Sequence, residues 1–312
     1  MTGEYPEAST FKPGQTEEVS VRLGDGTDLC GVLYRAEGAA LAGYDCLCIH
    51  GLGVDTNVWQ FVAPRLSAVG SNVLCLNLRG HGLSGAGSFA RLSRVQMSQD
   101  LLEAMQKLHF EPRLVLAQSF GTRVALGLLS VMSKQARSPL LIAVTPVWTA
   151  RRKSFAALAR TAKQTVSLLD AIRRQTGISV SRDRKRRDHT RFAGLADFHM
   201  PRFVEEAGSI TWPVYARLLA GMYLHDWFFP DRWEACADWP VCIIGATDEG
   251  LWDNTELEEV SRRTAWPLHW LRMRHVSLST EPQFAEPFVQ LLFQCVQDSL
   301  KPHSGVSMAD TR

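Results

Sequence analysis

Arg113-Leu114-Val115-Leu116-Ala117-Gln118-Ser119-Phe120-Gly121-Thr122-Arg123-Val124-Ala125-Leu126-Gly127-Leu128-Leu129 runs from a short apolar, strand-like stretch straight into residues that are apolar at helical spacing. The change of period falls at Ser119, so this residue has to turn a strand into a helix. A serine on so tight a turn has its hydroxyl pushed out at the end of the sheet, and the next amide and the helix start offer hydrogen bonds to a negative oxygen. The strained turn needs small residues two positions to either side, and Ala117 and Gly121 meet that need. Taken alone the pattern A-x-S-x-G is common, and a serine at a helix start is more often an ordinary cap. Its meaning rests on whether the rest of the chain supplies a base, an acid and an oxyanion hole.

Working outward, Glu17-Glu18-Val19-Ser20-Val21-Arg22-Leu23 alternates with period two, turns at Gly24-Asp25-Gly26, and is followed by Leu29-Cys30-Gly31-Val32-Leu33-Tyr34. That is a predicted β-hairpin. Short apolar strands then alternate with helices. Strands are predicted at 45–50, 72–78, 113–118, 140–144, 241–245 and 267–272, and helices near 58–68, 95–108, 121–133, 255–263 and 286–300. Such alternation implies an α/β fold with a mostly parallel, doubly wound sheet covered on both faces, the hairpin making it mixed. Between Val144 and Val241 lie nearly a hundred residues without a convincing strand, helical in pattern at 154–174 and 213–224. A structureless loop of that length is implausible inside a compact chain. The predicted organisation is therefore a loose tail at 1–16, a core at 17–147, an inserted helical cap at 148–235, a second core piece at 236–300 and a tail at 301–312.

The chain of 312 residues has 46% hydrophobic and 21% charged residues and a formal charge of +2, values that make no case for nucleic acid as a partner. No apolar stretch approaches a bilayer span. The start, Met1-Thr2-Gly3-Glu4-Tyr5-Pro6-Glu7, lacks the basic and apolar regions of a secretory signal. Seven cysteines, Cys30, Cys46, Cys48, Cys75, Cys236, Cys242 and Cys295, lie mostly in apolar runs with no C-x-x-C pair. They read as buried free thiols in a reducing compartment, and the expected location is cytoplasmic. Charge is uneven: residues 148–235 hold sixteen Lys and Arg against nine Asp and Glu, while the remainder holds eighteen against twenty-three. The densest run, Arg182 to His189, is a solvated face in the plainer reading, and a basic rim for an anionic substrate or carrier in the functional one.

The ends of the predicted strands carry the chemistry. His50-Gly51-Leu52-Gly53 follows the first parallel strand, at the catalytic end of a doubly wound sheet. The Leu52 amide, with that of Phe120, can form a two-donor hole for a developing oxyanion. His50 itself is expected to hold the loop, and His81, in Leu78-Arg79-Gly80-His81-Gly82-Leu83-Ser84, to be structural on a tight turn. Ile243-Ile244-Gly245-Ala246-Thr247-Asp248 places an acid just past a later strand, and His275 follows the last one. Serine, aspartate and histidine thus stand in the chain order expected of this architecture. No His, Cys or Asp group has metal-ligand spacing, so neither metal nor cofactor is expected.

On these residues the chain resembles the α/β-hydrolase superfamily, in the branch with a helical cap between strands six and seven. The likeness covers roughly 17–147 and 236–299. It implies Ser119 as nucleophile, His275 as general base then acid, Asp248 as orienting carboxylate, and the Leu52 and Phe120 amides as oxyanion donors. Three positions depart from the usual pattern: Ala117 replaces the first glycine of the elbow, Asn77 stands where many relatives carry aspartate, and Arg274 precedes the histidine where glycine is common. Glu249 and Asp253 are rival acids. A serine nucleophile argues against epoxide hydrolase or dehalogenase chemistry, which in this superfamily uses a carboxylate.

The expected reaction is hydrolysis of an ester or thioester of a small to medium hydrophobic acyl compound through an acyl-enzyme. Acyl transfer to an alcohol or amine, carbon–carbon bond hydrolysis or cofactor-free lyase chemistry, and ligand reception without turnover are the alternatives. Within the cap, Trp148, Trp212, Tyr215 and Met222 are candidates to line the substrate pocket. At helical spacing such residues also serve as cap core.

Overall fold

The computed structural model describes residues 15–39, 41–132, 138–148, 210, 214, 217–218, 239–249 and 254–300. The hairpin forms as β1 (Thr16–Arg22) and β2 (Asp28–Tyr34). The parallel strands are β3 (Cys46–Ile49), β4 (Val73–Leu76), β5 (Leu114–Gln118), β6 (Leu140–Val144), β7 (Val241–Ala246) and β8 (Leu268–Leu271). All eight join one sheet in the order β1-β2-β4-β3-β5-β6-β7-β8. β1–β2 and β2–β4 are antiparallel, and every later pairing is parallel.

Strand alternation sorts the apolar residues onto two faces. On one, Leu47, Ile49, Leu74, Leu76, Val115, Ala117, Leu141 and Ala143 pack against α2 (Arg94–Leu108) and α3 (Phe120–Val131), with α4 (Thr255–Thr264) at the β7–β8 end. On the other, Cys48, Cys75, Leu114, Leu116, Ile142, Val144 and Ile244 meet α1 (Ala63–Ala68) and, beyond the short helix α5 (Ser277–Thr280), α6 (Ala285–Leu300). The central strands β3 to β7 are buried along their full length, as a sheet with helices on both faces requires.

The helix expected over 58–68 appears in two pieces, a 3-10 turn at Thr56–Trp59 and then α1. Pro64, which has no amide hydrogen, sits in the first turn of α1, where the missing donor costs nothing but a helix running in from further upstream would be broken. Asp55 accepts from the Asn57 amide and caps the 3-10 turn. Of the expected cap, residues 149–209, 211–213, 215–216 and 219–235 lie outside the described residues, as do 1–14 and 301–312. The described ones include helical Val214, Arg217 and Leu218, which fall in the stretch expected to be helical at 213–224. Ile210 pairs with His81 in an isolated antiparallel bridge, bringing this segment onto the turn after β4.

Candidate active site

Ser119 stands between β5 and α3 with φ 51° and ψ −120°, a backbone that a side chain adopts only under strain. The strain is held on both sides. The Ser119 amide donates to the Val144 carbonyl at 2.9 Å, and its own carbonyl accepts from the Thr122 amide (3.1 Å) and the Thr122 hydroxyl (2.6 Å). Close packing explains the small neighbours. A Cβ on Gly121 would sit 2.5 Å from the His50 carbonyl oxygen, and one on Gly51 would sit 3.3 Å from the Ser119 Cβ. Ala117 is fully buried among the core side chains on the α2–α3 side of the sheet.

The loop after β3 is fixed by His50. Its Nδ1 lies 2.7 Å from the Gly51 carbonyl, and its Nε2 accepts from the Leu78 amide at 2.9 Å. Both ring nitrogens are thus used within the scaffold, the Nδ1–H tautomer being the one that fits. Burial pushes this imidazole down to about 4, against the raising effect of its bond to Gly51. His81 is also fully buried, with Nδ1 3.1 Å from the Arg79 carbonyl. Burial first, and then the neighbouring His50, push it down to about 3. Both histidines stay neutral and structural. Asn77 accepts from the Thr56 amide at 2.9 Å, joining the exit of β4 to the same loop. Leu52 lies in the turn so held, and the Phe120 amide stands at the first position of α3, where no intrahelical acceptor exists.

Arg79 anchors this end of the sheet from behind. Fully buried, it bonds Asp100 twice at 2.7 Å, the Asp25 carboxylate at 2.9 Å and the Thr27 hydroxyl at 2.8 Å. Burial alone would push the Asp25 carboxyl up, but its bonds from Arg79 and Thr27 outweigh this and hold it well below the usual carboxylate range.

The candidate base and acid come from the other half of the chain. His275 follows β8 and is tied to the elbow by Gln118, whose Nε2 donates to the His275 carbonyl at 3.0 Å. Its Nδ1 lies 2.8 Å from Oε2 of Glu249, and the two side chains are only 6% and 4% exposed. An ionised carboxylate only accepts, so Nδ1 carries the hydrogen and the lone pair stays on Nε2.

The carboxylate that meets His275 is therefore Glu249, and the pairing expected of Asp248 is not made. Thr247 and Asp248 still run alongside the extension of β8, their amides donating to the Leu271 and Met273 carbonyls at 2.9 and 3.1 Å. Asp248 is held exposed there, with its Oδ1 accepting from the Thr247 hydroxyl at 3.0 Å. Glu249, one residue later and one methylene longer, is the side chain that reaches the imidazole. The sequence carried that signal only as a choice between adjacent acids. The third rival, Asp253, lies outside the described residues.

Of the expected pocket residues, Trp148 is fully buried in the core. Its ring meets Trp266 edge-on with centroids 6.0 Å apart, and its carbonyl accepts from Arg123 at 2.6 Å. It packs the core and offers no open wall. Trp212, Tyr215 and Met222 lie outside the described residues.

A strained serine at a strand-to-helix turn and a buried His–Glu pair beyond the ends of β7 and β8 thus stand on one eight-stranded, mostly parallel sheet. A profile of the Alpha/beta hydrolase family matches residues 46–285. The chain belongs to that family. A serine hydrolase-like protein of Dictyostelium discoideum is 27% identical over 110 residues, covering 35% of this chain and 30% of that relative's length. Among solved structures, an esterase from Exiguobacterium antarcticum superposes with a TM-score of 0.65 at 17% identity, covering 89% of this chain and 100% of the esterase. The enol-lactonase from Burkholderia xenovorans LB400 superposes at 0.64 with 15% identity, covering 89% and 100%. At those identities the structural likeness concerns the fold. Among the described residues, no helix is long and apolar enough to cross a membrane.

Proposed function

We propose that this α/β-hydrolase family member is a serine hydrolase acting on an ester or thioester of a small to medium hydrophobic acyl group. The observation that carries the reading is the buried His275–Glu249 pair, at 2.8 Å, tied through Gln118 to the strained Ser119. In this mechanism Ser119 Oγ attacks the acyl carbonyl while His275 Nε2 takes its proton. Glu249 holds the imidazole in the Nδ1–H tautomer and stabilises the imidazolium as it forms. The amides of Leu52 and Phe120 bind the developing oxyanion, each donor of this kind contributing about 10²–10³ in turnover. His275 then passes its proton to the leaving alcohol or thiol, and afterwards activates the water that releases the acid. The neighbours named esterase and enol-lactonase agree with carbonyl–oxygen chemistry on this fold. The basic segment around Arg182–Arg187 favours an anionic substrate or carrier.

The test is labelling by a fluorophosphonate probe together with turnover of short-chain p-nitrophenyl esters. Wild type is expected to label and to hydrolyse the esters, and Ser119→Ala to do neither while keeping the wild-type unfolding curve. Equal labelling of both proteins, or of neither, would remove Ser119 from the role.

A further inference from the structure

Cys242 and Cys295 are 53 residues apart in sequence, one on β7 and the other on α6 across the sheet–helix layer. Both side chains are buried, at 2% and 4% exposure, and their sulfurs are 2.6 Å apart. Both are free thiols, and only a small movement separates them from a disulfide bond of about 2.05 Å. The sulfurs of Cys46, Cys48 and Cys75 are also close, Cys75 standing beside Cys48 in register on the next strand, but the Cys46–Cys48 pair differs in kind. Its sulfurs are 3.8 Å apart, and its two residues share one face of a single strand because side chains two apart in a strand always do.

A third group belongs to the cluster. His269 pairs in register with Ile244 on the neighbouring strand, so it shares the face of the sheet that carries Cys242. A ring nitrogen of His269 and the two sulfurs all lie within 4.8 Å of one another. His269 is half-buried and is the member of the trio most open to solvent. A thiol in an apolar layer ionises poorly, and a neighbouring imidazole is the group able to accept its proton.

We propose that Cys242 and Cys295 are a redox modification site, forming a reversible disulfide under hydrogen peroxide with His269 as proton acceptor. One thiol loses its proton to His269, and the thiolate attacks a peroxide oxygen. The O–O bond breaks, leaving a sulfenic acid, and the departing hydroxide leaves as water with the proton returned from His269. The second thiol attacks the sulfenic sulfur, the S–O bond breaks, and a second water leaves with the remaining thiol proton. Two thiols thus give up two electrons and two protons, and one peroxide becomes two waters. The bond closes a ring from 242 to 295 that contains both Glu249 and His275, and fastens α6 to the strand leading to Glu249.

The experiment uses the full chain in a Cys236→Ser background, because Cys236 falls on the same tryptic fragment as Cys242. The reduced protein is treated with hydrogen peroxide, unfolded in iodoacetamide, digested and analysed by mass spectrometry. Expected is a linked peptide pair carrying Cys242 and Cys295, two hydrogens lighter than its parts and separated by dithiothreitol. It should be absent from Cys295→Ser, and His269→Gln should form it several-fold more slowly. The oxidised protein should also melt several degrees above the reduced one, a difference that vanishes in Cys295→Ser. Recovery of both cysteines as alkylated thiols after peroxide would overturn the proposal. So would one tightly held zinc per chain in the reduced protein, lost in His269→Gln and shielding both thiols, since the trio would then be a metal site.

Discussion

Glu249 and Asp248 make opposite forecasts for two adjacent carboxylates. Glu249→Gln keeps the shape but can donate toward His275 Nδ1, favouring the wrong tautomer, and turnover of the ester substrate is expected to fall about 10²–10⁴-fold. Asp248→Asn alters an exposed side chain that bonds Thr247, so turnover is expected to stay within about threefold. Steady-state kinetics on the two variants decide between them, and the reverse ranking would return the role to Asp248. This is also the place where the sequence was least legible. Ser119 and His275 could be placed because the period changes at one and the other follows the last strand. The acid is set by how many residues pass before the chain leaves the β8 edge, and by one methylene of reach. Neither is written in hydrophobic periodicity.

At the scale of elements, the period-two and helical patterns located all eight strands and the longer helices to within a few residues, because the central strands are buried apolar runs and the hairpin alternates, whereas the four-residue helix Ser277–Thr280 is too short to show a period. What they did not show is how closely α3 approaches β3. Gly121 is the contact point, where a Cβ would meet the His50 carbonyl at 2.5 Å and the Ile49 carbonyl at 2.8 Å. Backbone cannot move aside as a flexible side chain can, so Gly121→Ala is expected to cost about 1–3 kcal/mol despite the higher helix propensity of alanine. It should also lower turnover by shifting Phe120 and Ser119. Urea unfolding measures the first effect and ester hydrolysis the second; a variant as stable and active as wild type would show that the helix can withdraw freely. Trp148 shows a related limit of the sequence. Sequence shows an aromatic at a segment boundary but not which way it faces, and here Trp266 and the core take it.

For the whole molecule, the buried histidines set a pH dependence. His50 and His81 have folded-state values near 4 and 3, against 6.5 for an ordinary imidazole. Between those limits the unfolded chain binds more protons than the folded one, so stability is full above about pH 6.5 and is lost as pH falls toward 4. His50 alone accounts for a loss of the order of 3 kcal/mol across that window. The two rings lie 4.9 Å apart, so they titrate as a pair and their shares do not simply add. The urea midpoint is expected to drop between pH 7 and pH 5, and a flat profile there would mean that these rings are not buried neutral.

The β6–β7 seam has a further consequence for a chain made from one end. β6 ends at Val144 and its neighbour β7 begins only at Val241, so the long stretch between them must be closed before the second half of the sheet can add. A growing chain that has completed β1 to β6 already holds the Ser119 elbow, but neither Glu249 nor His275 has joined it. The serine is then an ordinary weak alcohol. Under the proposed mechanism the reactivity of Ser119 would arrive only with the last two strands, so a half-synthesised chain would carry a harmless hydroxyl until assembly is complete.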